Sequence, residues 1–270
     1  RWLREDNFVL LGHRRLVLDD AGAAQAEGEN LGLLRDAGLP VFDALAALPA
    51  IPPAVRAALA EGPAVTVAKA NMRATVHRPQ HADVVAVRVP GGVRLFLGLF
   101  AAAAYNRNPR SIPLLRGKVE RVLGAAGVDA ATHDGRALRN ILDTWPRDEL
   151  FQAAEHEILE GARRALDLSI RPRPALFLRR DPFGRFVSAI AWLPREGFDT
   201  RLRQRVGEVL ARAHGGRLSA FYIALGDAPL ARVHYIIGTD PKAPLHPDAA
   251  ALEAAVAQAA RSFTERLGEA

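Results

Sequence analysis

The sequence contains no cysteine. A disulfide framework, a thiolate metal site and a thiol nucleophile are therefore excluded, and the absence suits a reducing cytoplasm. Lysine is scarce as well: Lys69, Lys118 and Lys242 are the only three among 36 basic residues. None stands in a glycine-rich setting, so a Walker-type phosphate loop is excluded and a catalytic lysine is not expected. No G-x-G-x-x-G follows a predicted strand, and Gly28 and Gly32 have the wrong spacing for a dinucleotide fingerprint. No stretch reaches the ~18 uninterrupted apolar residues that a membrane span requires. Arg1 stands where a Met would open a complete chain, and no basic, apolar leader follows it. The chain is therefore expected to be a piece of a longer polypeptide.

What is present describes an ordinary globular chain. Its 270 residues are 49% apolar and 24% charged, which suits about two domains and excludes disorder as the main state. The formal charge is +6. It is concentrated over 171–205, where nine arginines face only Asp181, Glu196 and Asp199. Such a face could attract nucleic acid or an acidic partner. The favoured reading is a solvated sheet edge and helix face whose Arg stems cover apolar surface. The neighbouring Phe177, Phe183, Phe186 and Trp192 read as core or turn packing, not as a base-stacking platform. The alanine excess and the preference for Arg over Lys suit a GC-rich genome and need no functional cause.

Residues 2–8 read as the end of a helix and 8–18 as a strand. Residues 19–30 are small and polar and are predicted to be a loop. Pro52-Pro53 opens a short helix over 54–60. Strands are predicted over 64–70, 83–89 and 93–100, with Gly91-Gly92 as a hairpin turn where both glycines tolerate positive φ. Helices follow over 113–126, stopped by Gly127, over 134–142, capped by Asp134 and ended by Pro146, and from 148 onward. That last one carries Leu150, Ile158, Leu159, Ala162 and Leu166 along one side. Beyond it come strands over 174–180 and 185–193, joined by Asp181-Pro182-Phe183-Gly184, the residue types of a type I turn. Asp199 or Thr200 caps a helix that Gly215-Gly216 ends. A hairpin over 217–225 and 230–238 and a helix over 247–267 complete the chain. The order ββαββα is accounted for by one four-stranded antiparallel sheet with both helices on one face. The expected division is an α+β domain over 1–105, a helical connector over 106–168 and an α+β sandwich over 169–270.

No catalytic constellation emerges. Glu155-His156-Glu157 has no second His one turn on, and Pro79 breaks the His77–His81 pair, so no metal site is expected. The serines occupy no nucleophile elbow, and the carboxylates are scattered. Two clusters remain as candidate effector sites. Thr75-Val76-His77-Arg78-Pro79 places His77 and Arg78 just after a strand, where they either bind an anion or tie down a loop. Pro194-Arg195-Glu196-Gly197-Phe198-Asp199-Thr200 forms a strand-to-helix loop. Backbone N–H groups at a helix start can hold a carboxylate; the alternative is a plain capped loop.

Several strings together resemble one family. They are Arg1-Trp2-Leu3-Arg4-Glu5-Asp6-Asn7-Phe8-Val9-Leu10-Leu11-Gly12, Thr75-Val76-His77-Arg78-Pro79, and Phe96-Leu97-Gly98-Leu99-Phe100. They continue with Ala104-Tyr105-Asn106, Ile112-Pro113-Leu114-Leu115-Arg116 and His133-Asp134-Gly135-Arg136-Ala137-Leu138. Pro146-Arg147-Asp148-Glu149-Leu150-Phe151-Gln152, Arg179-Arg180-Asp181-Pro182-Phe183-Gly184-Arg185-Phe186-Val187-Ser188 and Pro229-Leu230-Ala231-Arg232-Val233-His234 complete the set. The chain resembles the N-terminal half of the large bacterial NAD-dependent glutamate dehydrogenases. The resemblance implies a longer parent enzyme that deaminates L-glutamate oxidatively with NAD, its catalytic domain lying beyond this region. It implies a PAS-like sheet domain over 1–105 and an ACT-like, ferredoxin-type module over 169–270. ACT modules commonly pair side by side and bind amino acids at the interface. The implied role is non-catalytic: regulation and homo-oligomer assembly, with an amino acid as effector and the rest of the polypeptide as partner. A pure scaffold is the structural alternative and an Arg-rich nucleic-acid-binding module the weakest one. No catalytic or NAD-binding residue of the family transfers to this chain.

Overall fold

The computed structural model describes residues 2–4, 7–18, 24–36, 63–74, 81–181, 184–239 and 247–261. The chain forms two units, one of Arg1–Val122 with Asp143–Ala154, the other of Leu123–Leu142 with Glu155–Ala270.

The first unit is built on an antiparallel sheet of β1 (Phe8–Leu18), β2 (Ala24–Gly32), β3 (Val65–Arg73), β4 (His81–Val89) and β5 (Gly92–Phe100), in the order β2-β1-β5-β4-β3. Apolar burial drives it: Val93, Leu95, Leu97 and Leu99 are buried along β5, and Ala82, Val84, Val85 and Ala86 along β4, where the burial is continuous over 82–86. Strand β2 replaces the predicted loop, pairing Leu16 with Ala26 and Leu18 with Ala24. Small polar residues have little strand propensity of their own, so this edge strand exists because β1 offers it a ladder. The turn between β4 and β5 corrects a second expectation. Only Gly91 takes a positive φ, +74°. Gly92 is needed for space, since a Cβ there would lie 2.0 Å from the Leu16 carbonyl oxygen. The predicted helix over 54–60 lies outside the described residues.

The helices are α1 (Ala102–Asn106), α2 (Pro113–Ala126), α3 (His133–Asp143), α4 (Arg147–Gln152) and α5 (Glu155–Ile170). Gly127 ends α2 with a φ of +69°. Helix α3 is capped by Thr132, whose Oγ1 accepts from Gly135 N–H at 3.1 Å, and not by Asp134. The single helix predicted from 148 onward is two helices, α4 and α5, because Ala153 is extended with ψ 149°. No glycine or proline marks that break in the sequence.

The second unit carries β6 (Ala175–Arg180), β7 (Phe186–Pro194), α6 (Thr200–Ala213), β8 (Arg217–Ala224), β9 (Leu230–Gly238) and α7 (Ala249–Ala260). Its antiparallel sheet runs β6-β7-β9-β8, and the ββαββα order is the one read from the sequence. Val187, Ala189, Ala191 and Leu193 of β7 and Val233, Tyr235 and Ile237 of β9 form one core with Leu202, Val206 and Leu210 of α6 and Leu252 and Val256 of α7. Both helices thus cover the same face. Helix α6 ends in a Schellman arrangement: Gly216 N–H donates to Ala211 O at 2.9 Å and Gly215 N–H to Arg212 O at 3.1 Å. Asp248 caps α7, accepting from Ala250 N–H at 2.7 Å and Ala251 N–H at 3.1 Å.

Candidate functional site

The loop between β7 and α6 is shaped by its own backbone. Arg195 N–H donates to Pro229 O at 2.9 Å and Phe198 N–H to Arg195 O at 3.1 Å. Gly197, at φ +75°, turns the chain toward the helix. Asp199 is the cap: its Oδ1 accepts from Leu202 N–H at 2.7 Å. Thr200 is the first helical residue. Pro194 is half-buried, while Arg195, Glu196, Gly197, Asp199 and Thr200 are exposed. One cation and two carboxylates thus surround a helix start. His77 and Arg78 lie outside the described residues.

Four arginines of the basic run over 171–205 are engaged within the fold. Arg179 is buried, Arg185 pairs with Asp181 at 2.7 Å, Arg173 with Asp167 at 2.8 Å, and the Arg203 guanidinium lies 3.9 Å from the Phe221 ring centroid. Phe177 and Trp192 are buried as core residues.

Sequence reasoning missed a buried charged cluster in the first unit. Lys69 Nζ lies 2.6 Å from Asp83 Oδ1, 3.1 Å from Asp148 Oδ1 and 3.5 Å from the Tyr105 hydroxyl. The Tyr105 hydroxyl donates to Asp148 Oδ1 at 3.0 Å, and Phe100 N–H donates to Asp83 Oδ2 at 3.0 Å. Burial alone would lower the Lys69 pKa; the carboxylates of Asp148 and Asp83, with Tyr105, overcome it and hold it well above the usual value. Burial raises Asp83, opposed by Lys69, and also raises Tyr105, with Asp148 adding to the effect. A lysine held protonated in this way is neither nucleophile nor base. Its signal in the sequence was only the rarity of lysine.

A second buried polar contact joins Ser188 Oγ and His234 Nε2 at 2.8 Å, with the Tyr222 ring 5.9 Å from the imidazole. Ser188 alternates with the residues of the helix-covered core and so projects from the opposite face of the sheet. Among the described residues no three His, Asp or Glu side chains gather as a metal site. No helix among them is long and apolar enough to cross a membrane.

Residues 175–264 match the family model described as glutamate dehydrogenase, ACT2 domain, and residues 112–171 match glutamate dehydrogenase, helical motif 1. The chain is 34% identical, over its whole length, to the NAD-specific glutamate dehydrogenase of Pseudomonas aeruginosa, of which it spans 18%. The chain belongs to the large NAD-specific glutamate dehydrogenase family. A second member, from Halomonas elongata, is 33% identical over 99% of the chain, which spans 17% of it. A third, from Mycobacterium tuberculosis, is 30% identical over 88% of the chain, which spans 14% of it. Within this family member, Pro172-Arg173-Pro174 separates the two matched regions and links α5 to β6. The four-stranded sheet and its two helices lie in the ACT2 match.

Proposed function

We propose that this chain is a regulatory and oligomerisation part of an NAD-dependent glutamate dehydrogenase. The parent enzyme converts L-glutamate, NAD and water to 2-oxoglutarate, ammonia and NADH in the cytoplasm. Its NAD site and catalytic groups belong to the rest of the polypeptide. The first sheet is a PAS-like domain over 1–105, the helices over 106–168 a connector, and 169–270 an ACT-like module whose 194–200 loop takes an amino-acid effector.

The observation that carries the assembly reading is the β8 edge. This strand pairs with β9 alone, and its outer edge is the end of the sheet. Phe221, Tyr222, Ile223 and Leu225 are 40%, 54%, 44% and 63% exposed. The run 220–225 carries no charge of its own, and the Arg203 guanidinium of α6 lies over Phe221. Edge strands are normally protected by charge, proline or covering elements. The opposite edge is protected: Glu253 of α7 accepts from Leu176 N–H at 2.9 Å and pairs with Arg164. A second copy is the occupant that fits β8. Antiparallel pairing about a twofold centred on Tyr222 sets Phe221 against Ile223 and brings Arg217 of one copy toward Asp227 of the other. No like charges meet in that register.

Analytical ultracentrifugation tests the reading. Ile223→Lys, which adds a charge to each copy at the edge, is expected to convert the associated species to monomer with an unchanged circular dichroism spectrum. A monomeric unsubstituted chain across micromolar concentrations refutes the β8 pairing.

A further inference from the structure

Helices α6 and α7 cover one face of the second unit's sheet and pack against each other. On α6 the outer side carries Arg201, Arg205, Glu208 and Arg212, all exposed. Successive gaps of four, three and four residues set them in one stripe along the helix. Arg201 and Arg205 stand ~6 Å apart along its axis, and Arg205 and Arg212 ~10 Å. None of these three arginines forms an ion pair among the described residues. Arg203 is directed elsewhere, over the Phe221 ring.

The outer side of α7 is Ala250, Ala251, Ala254 and Gln258, also exposed. It carries no charge. A helix that faces water ordinarily keeps its charged residues on that side. The one acid of α7, Glu253, is turned instead to the sheet edge, where it accepts from Leu176 N–H at 2.9 Å and pairs with Arg164. The outer surface of the layer is thus a cationic stripe beside a shallow, uncharged one. Alanines let another backbone approach closely, and the arginines give it a charged flank.

We propose that the α6–α7 layer docks an acidic amphipathic helix of a polypeptide partner. Its small apolar side chains lie against Ala250, Ala251 and Ala254, and its carboxylates meet Arg201, Arg205 and Arg212. Glu208, inside the cationic stripe, calls for one cation in the partner and disfavours a phosphate backbone, whose charge is all of one sign. Neither stripe holds an aromatic ring on which a base could stack. The β8 edge and the 194–200 loop take no part, so this surface and the assembly role can fail separately.

Fluorescence anisotropy on the 270-residue chain tests it, with a labelled helical peptide that carries glutamates in one stripe and alanine and leucine beside them. The same peptide with lysine for every glutamate, and a short DNA duplex, are the competing probes. The glutamate peptide is expected to bind at least tenfold more tightly than either. Arg201→Glu combined with Arg205→Glu weakens it at least tenfold and turns the preference to the lysine peptide. Ala250→Gln combined with Ala254→Gln keeps the charge, blocks close approach and weakens it at least threefold. All four positions are exposed, so the circular dichroism spectra stay unchanged. Equal affinity for the two peptides, or no binding of the glutamate peptide at low salt, overturns the docking surface. Tighter binding of the duplex overturns the polypeptide partner in favour of nucleic acid. Sensitivity to the arginine pair without sensitivity to the alanine pair overturns the two-stripe surface and leaves charge attraction alone. Loss of binding in Ile223→Ser moves the peptide to the β8 edge and overturns the assignment to this layer.

Discussion

Removing the Lys69 ammonium while keeping its stem, as Lys69→Met, leaves two carboxylates facing each other's charge with no cation between them. The side chain of Asp83 is 2% exposed and that of Asp148 21%. Breaking a buried ion pair from one side costs ~3–5 kcal/mol, because the remaining charge stays desolvated. The partial exposure of Asp148 favours the lower end, about 3 kcal/mol on that scale. That is a large share of the roughly 5–15 kcal/mol that holds a domain together. Urea titration followed by Trp fluorescence reads it, since Trp2 and Trp145 belong to the first unit. Adding Asp83→Asn removes the stranded charge and keeps an oxygen to accept from Phe100 N–H; at least about half the loss is expected to return. The pH dependence has a definite sign. Burial raises the Asp83 pKa, and Lys69 opposes the rise. A carboxyl whose folded pKa is raised contributes stability at low pH that is lost as pH climbs through the folded value. Without Lys69 the rise is unopposed, so the deficit of Lys69→Met is larger at about pH 7.5 than at about pH 4.5. Lys69 itself, raised well above its usual value, stays protonated through this window. A loss below about 1 kcal/mol, or a double variant no more stable than the single one, refutes the charge argument.

Asp199→Ala removes the side-chain acceptor for Leu202 N–H and should cost about 1 kcal/mol by thermal melting. In a thermal-shift screen against amino acids, saturable stabilisation lost in that variant supports the 194–200 loop as effector site; silence with every amino acid refutes it. Gly184→Val places a β-branched residue at φ +73° with nothing within 4 Å of the new Cβ, so backbone strain alone sets the cost, about 1–3 kcal/mol. Gly216→Ala differs in kind: its Cβ would lie 2.2 Å from the Gly238 carbonyl oxygen, so the α6–β8 junction must move. Its melting temperature should fall further than that of Gly184→Val, and the reverse order refutes the close-approach argument.

Local chemistry made much of the fold legible. Apolar runs bounded by turn residues set β1, β5, β7 and β9, helical spacing set α2, and Asp199, Gly127 and Gly215-Gly216 marked ends that the structure shares. These features depend on neighbours within a few residues, so the chain itself determines them. The ββαββα order, the family resemblance and the absence of a dinucleotide fingerprint were likewise properties of the string. Other features needed the tertiary structure. Strand β2 forms because β1 offers its backbone, and the α4–α5 break has no local breaker but three carbonyls held by Lys118. The Lys69 cluster draws Asp83, Tyr105 and Asp148 from three separate elements. Likewise, which strands end the sheet followed from strand order, β6 meeting Glu253 and β8 pairing with β9 alone. Pairing, capping across elements and burial of charge are decided by residues distant in the chain, where periodicity and propensity carry no information.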